Sequence, residues 1–341
     1  MSPKINRLEK TEKEYAGAPS TLCMGCGHDA ISASIRKAFF ESSIDPKNVI
    51  KLSGIGCSSK TPAYFMSQSF GINSVHGRMS AVATGAHAAN ANLIPIGVSG
   101  DGDTSAIGLG NFCHMIRRNI KLTYVIENNG VYGLTKGQFS ATADRGTVLK
   151  KGKINNTHGI DLCELAITMG ATFVARSFSG DRKQLAPLMQ AALAHDGIAV
   201  LDVLSPCTTF NNHEGSTKSL KNIRANLDPV HDLDFIPNAE LIEADYEEGS
   251  EHELTLHDGS VLNLKKLHKD YSPHDQLSAL RNLREAAGEG KFLTGLIYLD
   301  TEKPSFARDS NLSARALSSL NQEDLRPNQS ELDRWNQQLT P

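Results

Sequence analysis

The sequence predicts an α/β protein built on a mostly parallel sheet with helices on both faces. Two observations carry this. From about residue 49 to residue 204, short apolar runs of strand length alternate with segments of helical length, the pattern of a parallel sheet covered on both sides. The Gly-, Cys- and Asn-rich motifs fall directly after those runs. That is the carboxyl end of each strand, where open α/β sheets place their ligands.

The elements follow in order. Residues 1–20 read as a polar N-terminal arm. Cys23 opens a Gly- and Cys-rich turn, and a helix is predicted over 29–40. A strand at 49–52 enters the turn Gly54-Ile55-Gly56-Cys57. An Ala-rich helix spans 80–92, a strand 93–98, a helix 106–118 and a strand 122–126. Helices at 162–169 and 182–194 then alternate with strands at 172–176 and 198–204. After Pro206 the character changes, and 208–250 is polar and loop-rich. Segments 253–256 and 261–264 alternate around Asp258-Gly259, a hairpin signal. Asp275 is placed to cap a helix reaching residue 287, and 292–299 is one more apolar segment. From residue 301 the chain reads as a docking tail. These shifts divide the chain into an arm (1–20), a ligand-binding α/β domain (21–228) and a C-terminal extension (229–341).

Composition narrows the class. With 341 residues, 39% hydrophobic and 21% charged, the chain can bury a sizeable core, and wholesale disorder is excluded. A net charge of −3 gives no electrostatic footprint for nucleic acid or an anionic membrane. The longest apolar runs are too short to span a bilayer. The charged N-terminus has no apolar export core, so a cytoplasmic location is expected. Six cysteines are too few for a disulfide scaffold in a chain this long, and reduced thiols or ligands are expected.

Two constellations carry chemistry. Gly100-Asp101-Gly102-Asp103 follows one strand, and Asn128-Asn129 follows the next. Adjacent parallel strands joined by one helix bring both ends together. A carboxylate, an amide oxygen and a nearby carbonyl are hard ligands suited to Mg²⁺, which keeps phosphate oxygens in its other positions. Gly100 and Gly102 let backbone approach a pyrophosphate closely. The plain alternative is a Gly/Asp turn followed by an Asn-rich turn. The second constellation is Cys23-x-x-Cys26, Cys57 and Cys207, all in turns flanked by Gly or Pro. Four thiolates suit a 4Fe-4S cluster or a tetrahedral zinc. A zinc ribbon has two Cys-x-x-Cys knuckles close in sequence, whereas here the third and fourth thiols stand singly. Cys113 and Cys163 sit inside helical patterns and read as small hydrophobes, and His28 and His87 read as structural.

The chain resembles the β subunits of the 2-oxoacid:ferredoxin oxidoreductases. The motifs are Cys-Met-Gly-Cys-Gly-His (23–28), Gly-Ile-Gly-Cys-Ser-Ser (54–59), His-Gly-Arg (76–78), Ala-Thr-Gly (83–85) and Gly-Asp-Gly-Asp (100–103). Glu-Asn-Asn-Gly-Val-Tyr-Gly-Leu-Thr-Lys-Gly-Gln (127–138) and Ser-Pro-Cys-Thr-Thr-Phe-Asn (205–211) complete the set. Met24 stands where the family often has proline, which leaves both thiols in place.

The resemblance implies a thiamine diphosphate-binding fold holding thiamine diphosphate, Mg²⁺ and one 4Fe-4S cluster. It implies Mg²⁺ on Asp101, Asn129 and the Val131 carbonyl, and cluster ligation by Cys23, Cys26, Cys57 and Cys207. Ile55, Gly56, Cys57, Ser58, His76, Gly102, Asp103, Gly133 and Leu134 would lie beside the cofactor. His76 has a plain alternative as a loop histidine. The implied reaction is coenzyme A-dependent oxidative decarboxylation of a 2-oxoacid, with electrons passing through the cluster to ferredoxin. Pyruvate-selective members often have glycine where Lys136 stands. A lysine there could bind the second carboxylate of 2-oxoglutarate, which favours that substrate over pyruvate or a broad range; the alternative is a solvated loop lysine. The glutamate that activates the cofactor's pyrimidine is not among these motifs and is expected on a separate α subunit, most simply in an α₂β₂ assembly. A zinc-stabilised, non-redox thiamine diphosphate decarboxylase and a catalytically silent scaffold are the competing classes.

Overall fold

The computed structural model describes residues 4–148, 153–205, 207, 245–255, 261–267 and 271–339. A nine-stranded sheet runs through the whole of it. Its strands are β1 (Val49–Ser53), β2 (Phe70–Asn73), β3 (Ile94–Gly100), β4 (Leu122–Asn128), β7 (Phe173–Phe178), β8 (Ile198–Leu204), β9 (Glu251–Thr255), β10 (Val261–Lys266) and β11 (Phe292–Leu299). A two-stranded ribbon, β5 (Val131–Tyr132) and β6 (Gln138–Phe139), projects from the loop after β4. The sheet order is β2-β1-β3-β4-β8-β7-β11-β10-β9. The first six strands are mutually parallel. β11 turns antiparallel against β7, with a register shift between Leu296 and Tyr298.

The central strands are continuous apolar runs because both faces are covered. Every residue of β1, β4, β7 and β8 is buried. On one face lie α1 (Gly27–Glu41) and α5 (Arg182–Ala194), whose Ile31, Ile35, Leu185 and Met189 join Val98, Val125 and Leu201 in one apolar cluster. On the other lie α2 (Met79–Ala89), α3 (Leu109–Arg118), α4 (Leu162–Thr168) and α6 (Gln276–Gly288). Their Met79, Phe112, Leu162 and Leu283 pack on Leu122, Tyr124 and Val200. Asp161, Asp181 and Asp275 cap α4, α5 and α6 by accepting backbone amides, each satisfying donors that a helix start leaves open.

Several expectations shift. The arm is docked: Tyr15 is fully buried, edge-on to Phe40, with Asn6 Nδ2 donating to its hydroxyl at 2.7 Å. β2, which no apolar run predicts, is an edge strand whose four residues are all exposed. The Gly100–Asp103 segment is more than a turn. It passes into a π-helical turn, Asp103–Ile107, ahead of α3. The segment after 245 does not stand apart: β9, β10 and β11 extend the same sheet, with β9 and β10 pairing as the hairpin expected there. The Asp258-Gly259 turn and the 228/229 boundary lie outside the described residues. Beyond β11, the helices α7 (Phe306–Asp309), α8 (Gln322–Leu325) and α9 (Gln329–Leu339) contain no buried residue. Among the described residues no helix is long and apolar enough to cross a membrane.

Candidate active site

The loops after β1, β2, β3 and β4 meet at the carboxyl edge of the sheet around one small cavity of about 80 Å³. The turn Ile55–Ser58, His76, the pair Gly102 and Asp103, and the pair Gly133 and Leu134 all line it. So do Asp101, Asn129 and Val131. β3 and β4 are adjacent and parallel, with Gly100 opposite Glu127, so their ends deliver both halves of the first constellation to one point.

The two aspartates differ sharply in use. Asp103 is 3% exposed, and the protein itself takes up its carboxylate. Oδ1 accepts from Gly77 N at 2.6 Å, from Ile55 N at 3.4 Å and from the His76 ring; Oδ2 accepts from Ser99 Oγ at 2.7 Å. One side chain thereby ties the loops after β1, β2 and β3. Gly54 makes this possible: a Cβ there would fall 1.8 Å from Asp103 Oδ2. Asp101, 1% exposed, faces the Asn129 loop and the 140–142 segment. Its Oδ1 accepts from Asn129 N at 3.2 Å, and its Oδ2 accepts from Thr142 Oγ1 at 2.6 Å and from Ser140 Oγ. Asn129 Oδ1 accepts from Val131 N at 3.0 Å, which folds that loop back on itself. A carboxylate, an amide oxygen and a carbonyl in one loop pair form the hard-oxygen set that Mg²⁺ takes.

The cavity wall holds residues that the sequence reading passed over. Tyr132 Oη donates to Gly102 O at 2.9 Å, and burial, with the nearby Asp101 and Asp103 charges, raises its phenol. The ring fills the space a side chain at Gly102 would need: a Cβ there would come within 2.6 Å of it. His28, read as structural, also lines the cavity. Its Nδ1 lies 2.6 Å from Ser205 Oγ, and its Nε2 lies 3.6 Å from Glu127 Oε2. Burial pushes His28 down to about 4 and Glu127 well above the usual carboxylate range. Thr61 Oγ1 sits 3.0 Å from both Glu127 oxygens. A lone acidic residue ending an otherwise apolar strand was the signal available for Glu127.

The cysteines occupy different settings. Cys163 is fully buried and Cys113 half-buried, both on helices. Cys26 caps the start of α1, Cys57 lines the cavity after β1, and Cys207 follows β8. Cys23 is exposed, and no described cysteine is in a disulfide. Burial raises the Cys26 thiol, with Glu127 and Cys207 adding to it. Burial also raises Cys57, opposed by Lys60 and reinforced by Cys23 and Glu127. The four thiols are thus electrostatic neighbours in pairs, and four thiolates are a donor set suited to an iron–sulfur cluster. Among the described residues, which include all four of these cysteines, no group of three or more His, Cys, Asp or Glu is gathered closely enough to hold a metal ion. Lys136 is exposed and does not line the cavity; its neighbour Thr135 does. It occupies the left-handed region, with φ 73°.

Residues 54–203 match the family described as "Thiamine pyrophosphate enzyme, C-terminal TPP binding domain". The chain is 43% identical over 191 residues to a 2-oxoacid:ferredoxin oxidoreductase subunit beta of a Sulfolobus species, covering 56% of this chain and 63% of that one. It is 40% identical over 195 residues to the 2-oxoglutarate synthase subunit KorB of Methanocaldococcus jannaschii, covering 56% of this chain and 71% of that one. The chain thus spans somewhat under two thirds of the length of the archaeal 2-oxoacid enzyme subunit. The fold superposes with a TM-score of 0.73 and 28% identity, over 97% of each chain, on a 2-oxoglutarate:ferredoxin oxidoreductase from Magnetococcus marinus with 2-oxoglutarate, coenzyme A and succinyl-CoA bound. A sheet whose strand ends gather these motifs, a matching thiamine pyrophosphate domain and these relatives together place the chain in the family of 2-oxoacid:ferredoxin oxidoreductase β subunits.

Proposed function

We propose that this chain, with an α subunit, catalyses the coenzyme A-dependent oxidative decarboxylation of 2-oxoglutarate to succinyl-CoA, with ferredoxin as electron acceptor. The observation that carries this is the convergence of all twelve motif residues proposed for cofactor and Mg²⁺ on one cavity. Relatives named for 2-oxoglutarate support the substrate. When bound, thiamine diphosphate supplies the nucleophilic carbon and electron sink that decarboxylation of a 2-oxoacid needs. Asp101, Asn129 and Val131 would hold the Mg²⁺ that anchors its pyrophosphate. Gly102 leaves the room that the Tyr132 ring fills, and Asp103 fixes the loops bearing Ile55 and His76. Tyr132 closes the wall beside Gly102. Cys23, Cys26, Cys57 and Cys207 would hold a 4Fe-4S cluster. Cys57 belongs both to this set and to the cavity wall, which would put electron outlet and cofactor side by side. Lys136 would face the distal carboxylate of the substrate from the rim.

The test is the anaerobically co-purified αβ complex. It should contain iron and acid-labile sulfide in equal amounts. It should reduce a viologen dye only when 2-oxoglutarate and coenzyme A are both present. Stoichiometric zinc without sulfide would leave the non-redox decarboxylase reading in its place.

A further inference from the structure

We infer that Ser140 and Thr142 are positioning residues for the Asp101 carboxylate, and that they leave Oδ1 as the oxygen for the divalent cation. The inference rests on the proposed function, which gives Asp101 its cation. Both hydroxyls converge on one carboxylate oxygen. Thr142 Oγ1 donates to Oδ2 at 2.6 Å, and Ser140 Oγ donates to the same atom. Oδ1 receives the Asn129 amide at 3.2 Å, long for a bond to a carboxylate. The two oxygens are thus unequal: one is saturated from within the protein and the other keeps an acceptor position.

The clamp is itself held in place. Ser140 is 5% exposed, and its Oγ accepts from Thr142 N at 3.1 Å, a local hydroxyl-to-backbone turn. Ser140 N donates to Gly130 O at 3.2 Å, which ties the clamp to the loop carrying Asn129. A further layer stands behind it. Thr142 Oγ1 is 3.2 Å from Asn128 Oδ1, Asn128 Nδ2 donates to Asp202 Oδ1 at 2.9 Å, and Arg176 Nε donates to Asp202 Oδ2 at 2.9 Å. Thr142 has one hydroxyl proton, and the shorter contact to the charged acceptor takes it. The amide of Asn128 is turned by Asp202 so that its oxygen faces Thr142. Neither Ser140 nor Thr142 lies in the motifs that mark the family. They reach Asp101 only because the β5–β6 ribbon folds back over the metal loop.

Partners of this kind orient a ligand and set its affinity, with losses of about 10- to 100-fold when they are removed. The experiment uses the αβ complex stripped of cofactor and metal, titrated calorimetrically with Mg²⁺ at saturating thiamine diphosphate. Thr142→Val, which keeps shape and removes the hydroxyl, should raise the half-saturating Mg²⁺ concentration about tenfold, while Thr142→Ser should stay within about threefold of wild type. The rescue by serine separates positioning from packing, since serine lacks the methyl group. Ser140→Ala should weaken Mg²⁺ in the same direction and reads the clamp even where Thr142→Val fails to fold. Wild-type Mg²⁺ binding in Thr142→Val or Ser140→Ala, or a Thr142→Ser as weak as Thr142→Val, would overturn the inference. A wild-type complex that takes up no Mg²⁺ and no thiamine diphosphate overturns the proposed function itself, and this inference with it.

Discussion

Asp101 and Asp103 stand two positions apart with the same side chain, and surroundings alone assign them different work. The same logic applies to the two lysines that the fold treats as special. Lys51 lies inside β1, 6% exposed, with Nζ donating to the carbonyls of Pro62, Phe65 and Met66 at 2.7, 2.7 and 2.9 Å. Burial pushes its ammonium down from 10.5 to about 8. The native state therefore binds this proton less tightly than the unfolded chain does. The stability is fully present above 10.5 and is lost as pH falls through 8. The unfolding free energy of wild type relative to Lys51→Met should rise by about 1.4 kcal/mol per pH unit across that window. Urea titrations at several pH values read this directly, and a pH-independent difference would refute it. Lys136 is the opposite case, an exposed lysine on left-handed backbone. Lys136→Gly should stabilise the fold by about 1 kcal/mol relative to Lys136→Ala. Both variants should raise KM for 2-oxoglutarate far more than for pyruvate; equal effects on both substrates would leave Lys136 as a turn residue. The sequence showed which residues could bind metal and cofactor because their chemistry is local and their motifs compact. It could not show that Asp103 is consumed by three loops, or that Tyr132, Ser140 and Thr142 stand beside the aspartates. Those contacts exist only once four strand ends meet.

Among the elements, α4 shows how one residue can serve two scales. Asp161 caps it through Cys163 N and Glu164 N, both at 2.9 Å, and also receives Arg176 Nη2 at 2.7 Å. Burial alone would raise its carboxyl, but the Arg176 charge and the two amides outweigh burial and hold it below its ordinary range. Asp161→Ala should cost about 3 kcal/mol, since it removes the cap and one partner of a buried guanidinium. Asp275→Ala, which removes the same kind of cap from α6 without an arginine, should cost about 1 kcal/mol. Equal losses in urea unfolding would show that the Arg176 pair adds nothing. The legibility of elements follows burial. The strands β1, β3, β4, β7 and β8 announced themselves because a strand buried on both faces is a continuous apolar run. The β2 edge, Phe-Gly-Ile-Asn, carries no such run. The return of β11 against β7 was hidden for a different reason: strand direction is a tertiary property that no local periodicity records.

At the scale of the molecule, the sheet is one body whose six parallel strands carry the site, while β11 and β10, both reversed, and then β9 extend it at the far edge. The cavity gathers the motifs proposed for the pyrophosphate side and only one glutamate among the described residues, Glu127, whose carboxyl burial raises well above the usual carboxylate range. The chain alone, loaded with cluster, Mg²⁺ and thiamine diphosphate, should therefore show no 2-oxoacid-dependent dye reduction, and adding the α subunit should restore it. Turnover by the chain alone would transfer the pyrimidine-activating role to Glu127. The placement of the first thiol pair has a consequence of its own. Cys23 is exposed and Met24 beside it is 71% exposed, whereas Cys26 is buried, so the Cys23 end of the Cys-x-x-Cys turn lies at the surface. A cluster ligated there meets dissolved oxygen unless a partner covers it. Subunit assembly would then act as an oxygen shield as well as a means of completing the site. Bleaching of visible absorbance in air should be severalfold slower in the complex than in the isolated chain.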